Sequence, residues 1–171
     1  SRGNPLLHRK QGRHPKVVLV LGQSDPMEAT ASTIISFVEK LEESSTRFYT
    51  KLAERYKEGT ESFLAFAKED ERTKVLVTRT YQETITDALE ACFSFKGFNL
   101  SDHIFETTLA EDASYQEALK AALELEEKAS RFYMDVAERS RSLLATIPRA
   151  FGRAAEVRNR RKMKLQSLLS N

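Results

Sequence analysis

Apolar side chains recur along this chain mostly at helical spacing. Ile34, Val38, Leu41, Phe48 and Leu52, with Ser45 in register among them, fall on one face and predict a first helix that runs to about Tyr56, with Gly59 as its stop. Ser24-Asp25-Pro26 predicts where it starts: Asp25 can cap, Pro26 suits the first helical position, and Glu28 can reach back to the cap. Phe63, Phe66, Ala67, Asp70, Thr73, Val77, Thr80, Tyr81, Ile85 and Leu89 share a face of a second helix that closes near Lys96-Gly97. After the connection GFNLSDHIFETTLAED, Ser114 and Glu117 form the capping box of a third helix, with Ala118, Ala122, Leu125, Ala129, Phe132 and Val136 inward. Beyond SLLATIP, Ile147, Phe151, Ala154, Arg158, Arg161, Leu165 and Leu168 mark a fourth.

The 24 residues before this pattern read differently. SRGNPLLHRKQGRHPK is polar, basic and interrupted by Pro5, Gly12 and Pro15, so it offers no face to bury. KVVLVLGQ is β-branched, but no second strand signal stands nearby to pair with it, and it is expected to lie extended along the domain. The expected organisation is a basic extended arm over 1–24 and a bundle over 25–171. That bundle consists of two helical hairpins, expected to be parallel copies, joined by a long crossover, and each hairpin buries the apolar face of the other.

One segment is written twice. LEESSTRFYTKLAERY at 41–56 returns as LEEKASRFYMDVAERS at 125–140, and in each copy a glutamate, Glu42 or Glu126, stands seven residues before a tyrosine, Tyr49 or Tyr133. This repeated E-x6-Y segment resembles the rubrerythrin-type branch of the ferritin-like superfamily, over about residues 27–169. The resemblance implies an all-α ferritin-like four-helix bundle. Such proteins hold a di-iron centre with one Glu from each of two helices and a Glu-x-x-His from each of the other two. Glu42 and Glu126 match the single glutamates. Aligning FLAFAKEDERT with FGRAAEVRNRR puts Asp70 and Arg158 at the second glutamate position, and Thr73 and Arg161 at the histidine three residues on. Neither histidine is present. His8, His14 and His103 lie in the arm or the crossover and cannot stand in for them.

Arginine offers only donors and does not deprotonate in proteins, so it cannot ligate a cation. Three buried carboxylates without a positive partner would each lose several kcal/mol of solvation, so a cation must lie among them. Arg158 and Arg161 are the expected cations, giving a salt-bridge network where relatives bind iron, with no metal and no cofactor. A shifted register of the fourth helix would instead turn Glu156 inward and leave Glu42, Asp70, Glu126 and Glu156 as an all-oxygen set suited to Fe(II) or Mn. Tyr49 and Tyr133 read as packed aromatics with a hydroxyl handle, and Thr73 as a small core residue.

Composition agrees with helices: 40% hydrophobic and 30% charged residues go with only six glycines and four prolines. A single cysteine, Cys92, excludes an internal disulfide and favours a reducing, cytoplasmic setting; the alternative is an organelle matrix, with Arg9, Lys10 and Arg13 left from a transit sequence. The longest apolar run, VVLVLG, is far short of a bilayer span. Charge is segregated. Residues 1–24 carry +5 and residues 148–171 carry +6, so the total of +2 leaves −9 for residues 25–147. Phosphate-loop, CxxC and nucleophile-elbow motifs are missing from the sequence. The expected function is therefore that of a non-catalytic interaction or scaffold protein with a protein partner or a homo-oligomer, pairing through Phe93, Phe95, Phe98, Ile104 and Phe105. Two alternatives stand beside it: a metal-dependent oxidase or peroxidase, and a nucleic-acid-associated protein that uses the arm and the fourth helix.

Overall fold

A computed structural model describes residues 16–18, 29–84, 94–95, 97–141 and 146–171. Among these, four 25-residue helices dominate: α1 Ala31–Arg55, α2 Thr60–Thr84, α3 Tyr115–Arg139 and α4 Thr146–Ser170. A 3₁₀ turn, Lys57–Gly59, links α1 to α2. Two short antiparallel ladders complete the described elements. β1 Lys16–Val18 pairs with β4 Glu106–Thr108, and β2 Ala29–Thr30 pairs with β3 Ser94–Phe95. No described helix is long and apolar enough to cross a membrane.

The all-α fold class holds, and the inward positions follow the sequence pattern closely. Ile34, Val38, Leu41, Ser45, Phe48 and Leu52 of α1, and Ala118, Ala122, Leu125, Ala129, Phe132 and Val136 of α3, are all buried. The capping box at Ser114 and Glu117 is present in both directions. Three expectations are corrected. The first helix does not start at Asp25-Pro26. Its cap is Thr30, whose hydroxyl accepts from the Thr33 backbone N–H at 3.2 Å while the Thr33 hydroxyl accepts from the Thr30 N–H at 2.9 Å. Thr30 is extended because it is paired with Ser94, and a strand residue cannot continue a helix backwards. For the same reason the second helix cannot reach Lys96, since Ser94–Phe95 is the other side of that ladder.

KVVLVLGQ, expected to lie extended without a partner, is the third departure from expectation: its first residues have a partner strand. It lies in the crossover, where Phe105, Thr107 and Leu109 are buried and Glu106 and Thr108 exposed, the period-two alternation of a half-buried strand. Phe98 and Phe105 are buried in the core, so neither belongs to a surface on which copies could pair; Ile104 is exposed, and Phe93 and the Phe95 side chain lie outside the described residues. Cys92, His8 and His14 also lie outside them.

Aromatic rings fill the core, with Phe37 of α1 and Phe132 of α3 centred 4.5 Å apart between the hairpins and Tyr49 packed against Phe48, Phe63 and Phe66 within the first hairpin. At the α1–α2 corner the packing leaves no room for a side chain at Gly59, where an added Cβ would lie 2.5 Å from the Phe63 ring. Phe63 is fully buried and has little freedom to shift. Gly59→Ala is therefore expected to destabilise the protein by about 1–3 kcal/mol through overpacking, read as a lower urea midpoint at unchanged m-value. An unchanged midpoint would show that the corner can relax.

Candidate functional site: a buried arginine–carboxylate centre

The four helices bring Glu42 of α1, Asp70 of α2, Glu126 of α3, and Arg158 and Arg161 of α4 into one buried cluster, each at most 2% exposed. These are the residues the sequence placed at the degenerate ligand positions. Thr73 is buried on α2 nearby, one turn beyond Asp70. Each position follows from the apolar stripe of its helix: Glu42 follows Leu41 directly, Glu126 follows Leu125, and Arg158 and Arg161 stand between Ala154 and Leu165 on the inward face of α4.

Arg158 touches all three acids. Its Nη2 lies 2.8 Å from Glu42 Oε2 and 3.1 Å from Asp70 Oδ1, and its Nη1 lies 3.0 Å from Glu126 Oε1 while donating to Ser45 Oγ at 3.1 Å. Arg161 binds the lower edge of the cluster. Its Nη1 is 2.6 Å from Asp70 Oδ1 and 3.4 Å from Glu126 Oε1, its Nε donates to Glu69 Oε1 at 3.2 Å, and its Nη2 donates to the Phe66 carbonyl at 2.9 Å. The guanidinium also lies over the rings of Phe66 and Tyr49, at 5.1 and 5.7 Å. Burial by itself would lower both arginine pKa values. It is outweighed: by Asp70, Glu126 and Glu42 at Arg158, and by Glu126 and Asp70 at Arg161, so both stay charged well above the ordinary range.

The two tyrosines explain the E-x6-Y spacing. Seven residues are two helical turns, so each Glu and its Tyr share a face about 10 Å apart. The hydrogen bonds cross between the copies: Tyr49 donates to Glu126 Oε1 at 2.5 Å, and Tyr133 donates to Glu42 Oε1. α1 and α3 therefore run antiparallel, with Glu42 opposite Tyr133 and Tyr49 opposite Glu126, which corrects the expectation of parallel copies. Both phenol pKa values are pushed well above their usual value, first by burial and then by the neighbouring carboxylate, so both rings remain donors. The sequence suggested a hydroxyl handle; its partner in the other copy became visible only once the helices were placed. Ser45, Glu69 and the Phe66 carbonyl were also missed. Glu69 carried a weak signal, an acid beside Asp70, but its 35% exposure gives it the look of a solvated flank.

Charge in the centre does not balance. Three buried carboxylates face two guanidiniums, which leaves one negative charge, and Asp70 Oδ2 and Glu126 Oε2 are buried with no hydrogen-bond partner among the described residues. One proton shared within the carboxylate set would neutralise it. In keeping with that count, the Glu42 carboxyl is raised to about 7, chiefly by burial, with Arg158 opposing and Asp70 reinforcing.

A di-iron centre does not fit these residues. The oxygens that would ligate it already accept from guanidinium nitrogens, and two divalent ions beside two fixed cations would repel them strongly. Glu156 does not supply the missing donor. It is exposed and lines a groove between α3 and α4 with Met134, Gly152 and Asn159, which overturns the shifted-register alternative. Among the described residues no three His, Cys, Asp or Glu side chains are grouped to hold a metal ion. His103 lies away from the centre, stacked on Phe98 at 5.2 Å with its Nε2 3.0 Å from Asp135 Oδ2. Comparison of the chain with protein-family models, curated proteins and solved structures gives no match.

Proposed function

We propose that this protein is a helical bundle of ferritin-like, rubrerythrin-type descent in which two guanidiniums have taken over the structural role of a di-iron centre, and that it works as a non-catalytic interaction or scaffold protein. The observation that carries the proposal is Arg158, 1% exposed and within 3.1 Å of Glu42, Asp70 and Glu126 together. A permanently charged, five-donor group can crosslink three helices through their carboxylates, but it has no redox state and no open ligand position. Chemistry that needs an exchangeable ligand is thereby excluded from the centre, while its role in joining the hairpins is kept. What remains for function is the outer surface and its segregated charge.

Metal content is the direct test. Protein purified from iron- and manganese-supplemented medium is expected to hold well under one metal per chain by elemental analysis. About two per chain, the content of a di-iron carboxylate bundle, would overturn the proposal and restore the oxidoreductase reading.

A further inference from the structure

The fourth helix carries most of the excess positive charge, and the fold sorts it into three groups. Arg158 and Arg161 go inward. Lys162 turns towards α3, where its Nζ lies 3.8 Å from Glu127. The remaining four, Arg149, Arg153, Arg160 and Lys164, are all exposed, and no salt bridge engages them among the described residues. At 100° per residue they fall within about 60° of one another, as one stripe roughly 22 Å long. That stripe runs along the α2 side of the helix. Arg149 and Arg153 line a surface pocket of about 200 Å³ with Leu76, Thr80 and Glu83 of α2, and Lys164 Nζ lies 5.7 Å from the centre of the Phe66 ring. Glu156, the only acid in the helix, lines the groove facing α3 and flanks the stripe, about 20° from Arg149 and three and four residues from Arg153 and Arg160, so four cations face a single acid along this surface.

This arrangement works against the helix that carries it. Arg149/Arg153 and Arg160/Lys164 are like-charged pairs four residues apart, and Arg149 stands in the first turn, where the helix dipole disfavours a cation and where there is no acid to offset it. An extended external anion would relieve both effects at once. Three of the four groups are arginines, whose planar fork matches phosphate oxygens, and among the described residues Leu76 is the one large apolar side chain in the pocket, too little for the buried anchor cluster of a protein interface. Among the described residues no exposed aromatic ring stands along the stripe to stack on a base, so the contact would be to the backbone and independent of sequence.

We propose that this face of α4 binds the phosphate backbone of nucleic acid. The inference rests on the interaction reading above and gives it a surface and a class of partner. A stripe of this length spans about six base-pair steps, and four phosphate contacts predict a slope of about −3 to −4 for log K against log salt on a duplex.

The test uses the full chain and a fluorescently labelled DNA duplex of about 20 base pairs, followed by anisotropy across a salt series. The double variant Arg153→Glu/Arg160→Glu is expected to weaken binding at least tenfold and to flatten the slope by about 2. Lys40→Glu/Lys51→Glu, which changes net charge equally on exposed positions of α1, is expected to leave the slope unchanged. All four positions are exposed, so loss of folding does not confuse the outcome. Equal effects of the two variants would mean diffuse charge rather than a site and would overturn the proposal. So would polyglutamate of matched charge displacing the duplex one for one, since the surface would then be reading an acidic protein. Metal content stays a separate readout, so the failure of one proposal is distinguishable from the failure of the other.

Discussion

Arg158→Met is expected to destabilise the protein by about 3–5 kcal/mol at neutral pH, a large share of the roughly 5–15 kcal/mol that holds a typical domain folded. Methionine fills most of the volume, so the loss is electrostatic. Glu42, Asp70 and Glu126 would keep their buried positions with Arg161 as the sole nearby cation among the described residues, and Arg161 does not reach Glu42 among its hydrogen bonds. Denaturant unfolding at pH 7 measures this as a fall in midpoint at constant m-value. Arg158→Lys keeps the charge but cannot bridge three carboxylates and Ser45 from one planar group, and is expected to fall between wild type and Met. Adding Glu42→Gln to the Met variant should recover part of the loss, because it removes one of the uncompensated charges. A loss under about 0.5 kcal/mol for Arg158→Met, the range of a surface substitution, would mean that the arginine is not what holds the three acids together.

The same electrostatics makes the centre legible in the sequence, because acids on a buried face require a cation among them. A charged residue on an apolar stripe has two readings, a stripe edge or a buried partner, and position alone does not separate them. Arg158 and Arg161 were separable because Ile147, Phe151, Ala154 and Leu165 fix the inward face of α4 whatever stands between them, and all four are buried with the two arginines. Glu42 and Glu126 were separable because each follows a fully buried leucine in a duplicated context. Glu69 was not, since one residue of displacement from Asp70 put it at a half-exposed edge that helical periodicity assigns to solvent.

The ends of the helices were legible less well, for a physical reason. A cap is decided by what the flanking chain does, and Asp25-Pro26 and Thr30 are both competent starts on local chemistry. Pairing of Ala29–Thr30 with Ser94–Phe95, more than sixty residues away in sequence, chose Thr30. The same kind of long-range pairing gave Lys16–Val18 its partner in Glu106–Thr108. Strand pairs this short contribute little hydrophobic pattern, and the alternation over Phe105–Leu109 gains meaning only once a second strand lies beside it.

The charge count of the centre leads to a second large effect, on pH. A carboxyl whose folded value is raised, here Glu42 from 4.5 to about 7, binds its proton more tightly in the native state than in the unfolded one. The stability that comes from that proton is fully present below about 4.5 and is lost as pH rises through about 7, so the protein is expected to become less stable between pH 5 and 7, by about 3 kcal/mol at most, and to level off above. This runs opposite to the usual carboxylate, whose folded value is depressed and which stabilises with rising pH. Urea midpoints at half-unit intervals from pH 5 to 8 measure it. Glu42→Gln brings the buried charge to zero without a proton, and should flatten the profile across that window while leaving the two arginines balanced by Asp70 and Glu126. A wild-type profile that rises steadily through the window, or a Glu42→Gln profile with the wild-type slope, would show that the cluster holds its extra negative charge unprotonated, and a different group would have to account for the stability of three acids around two guanidiniums.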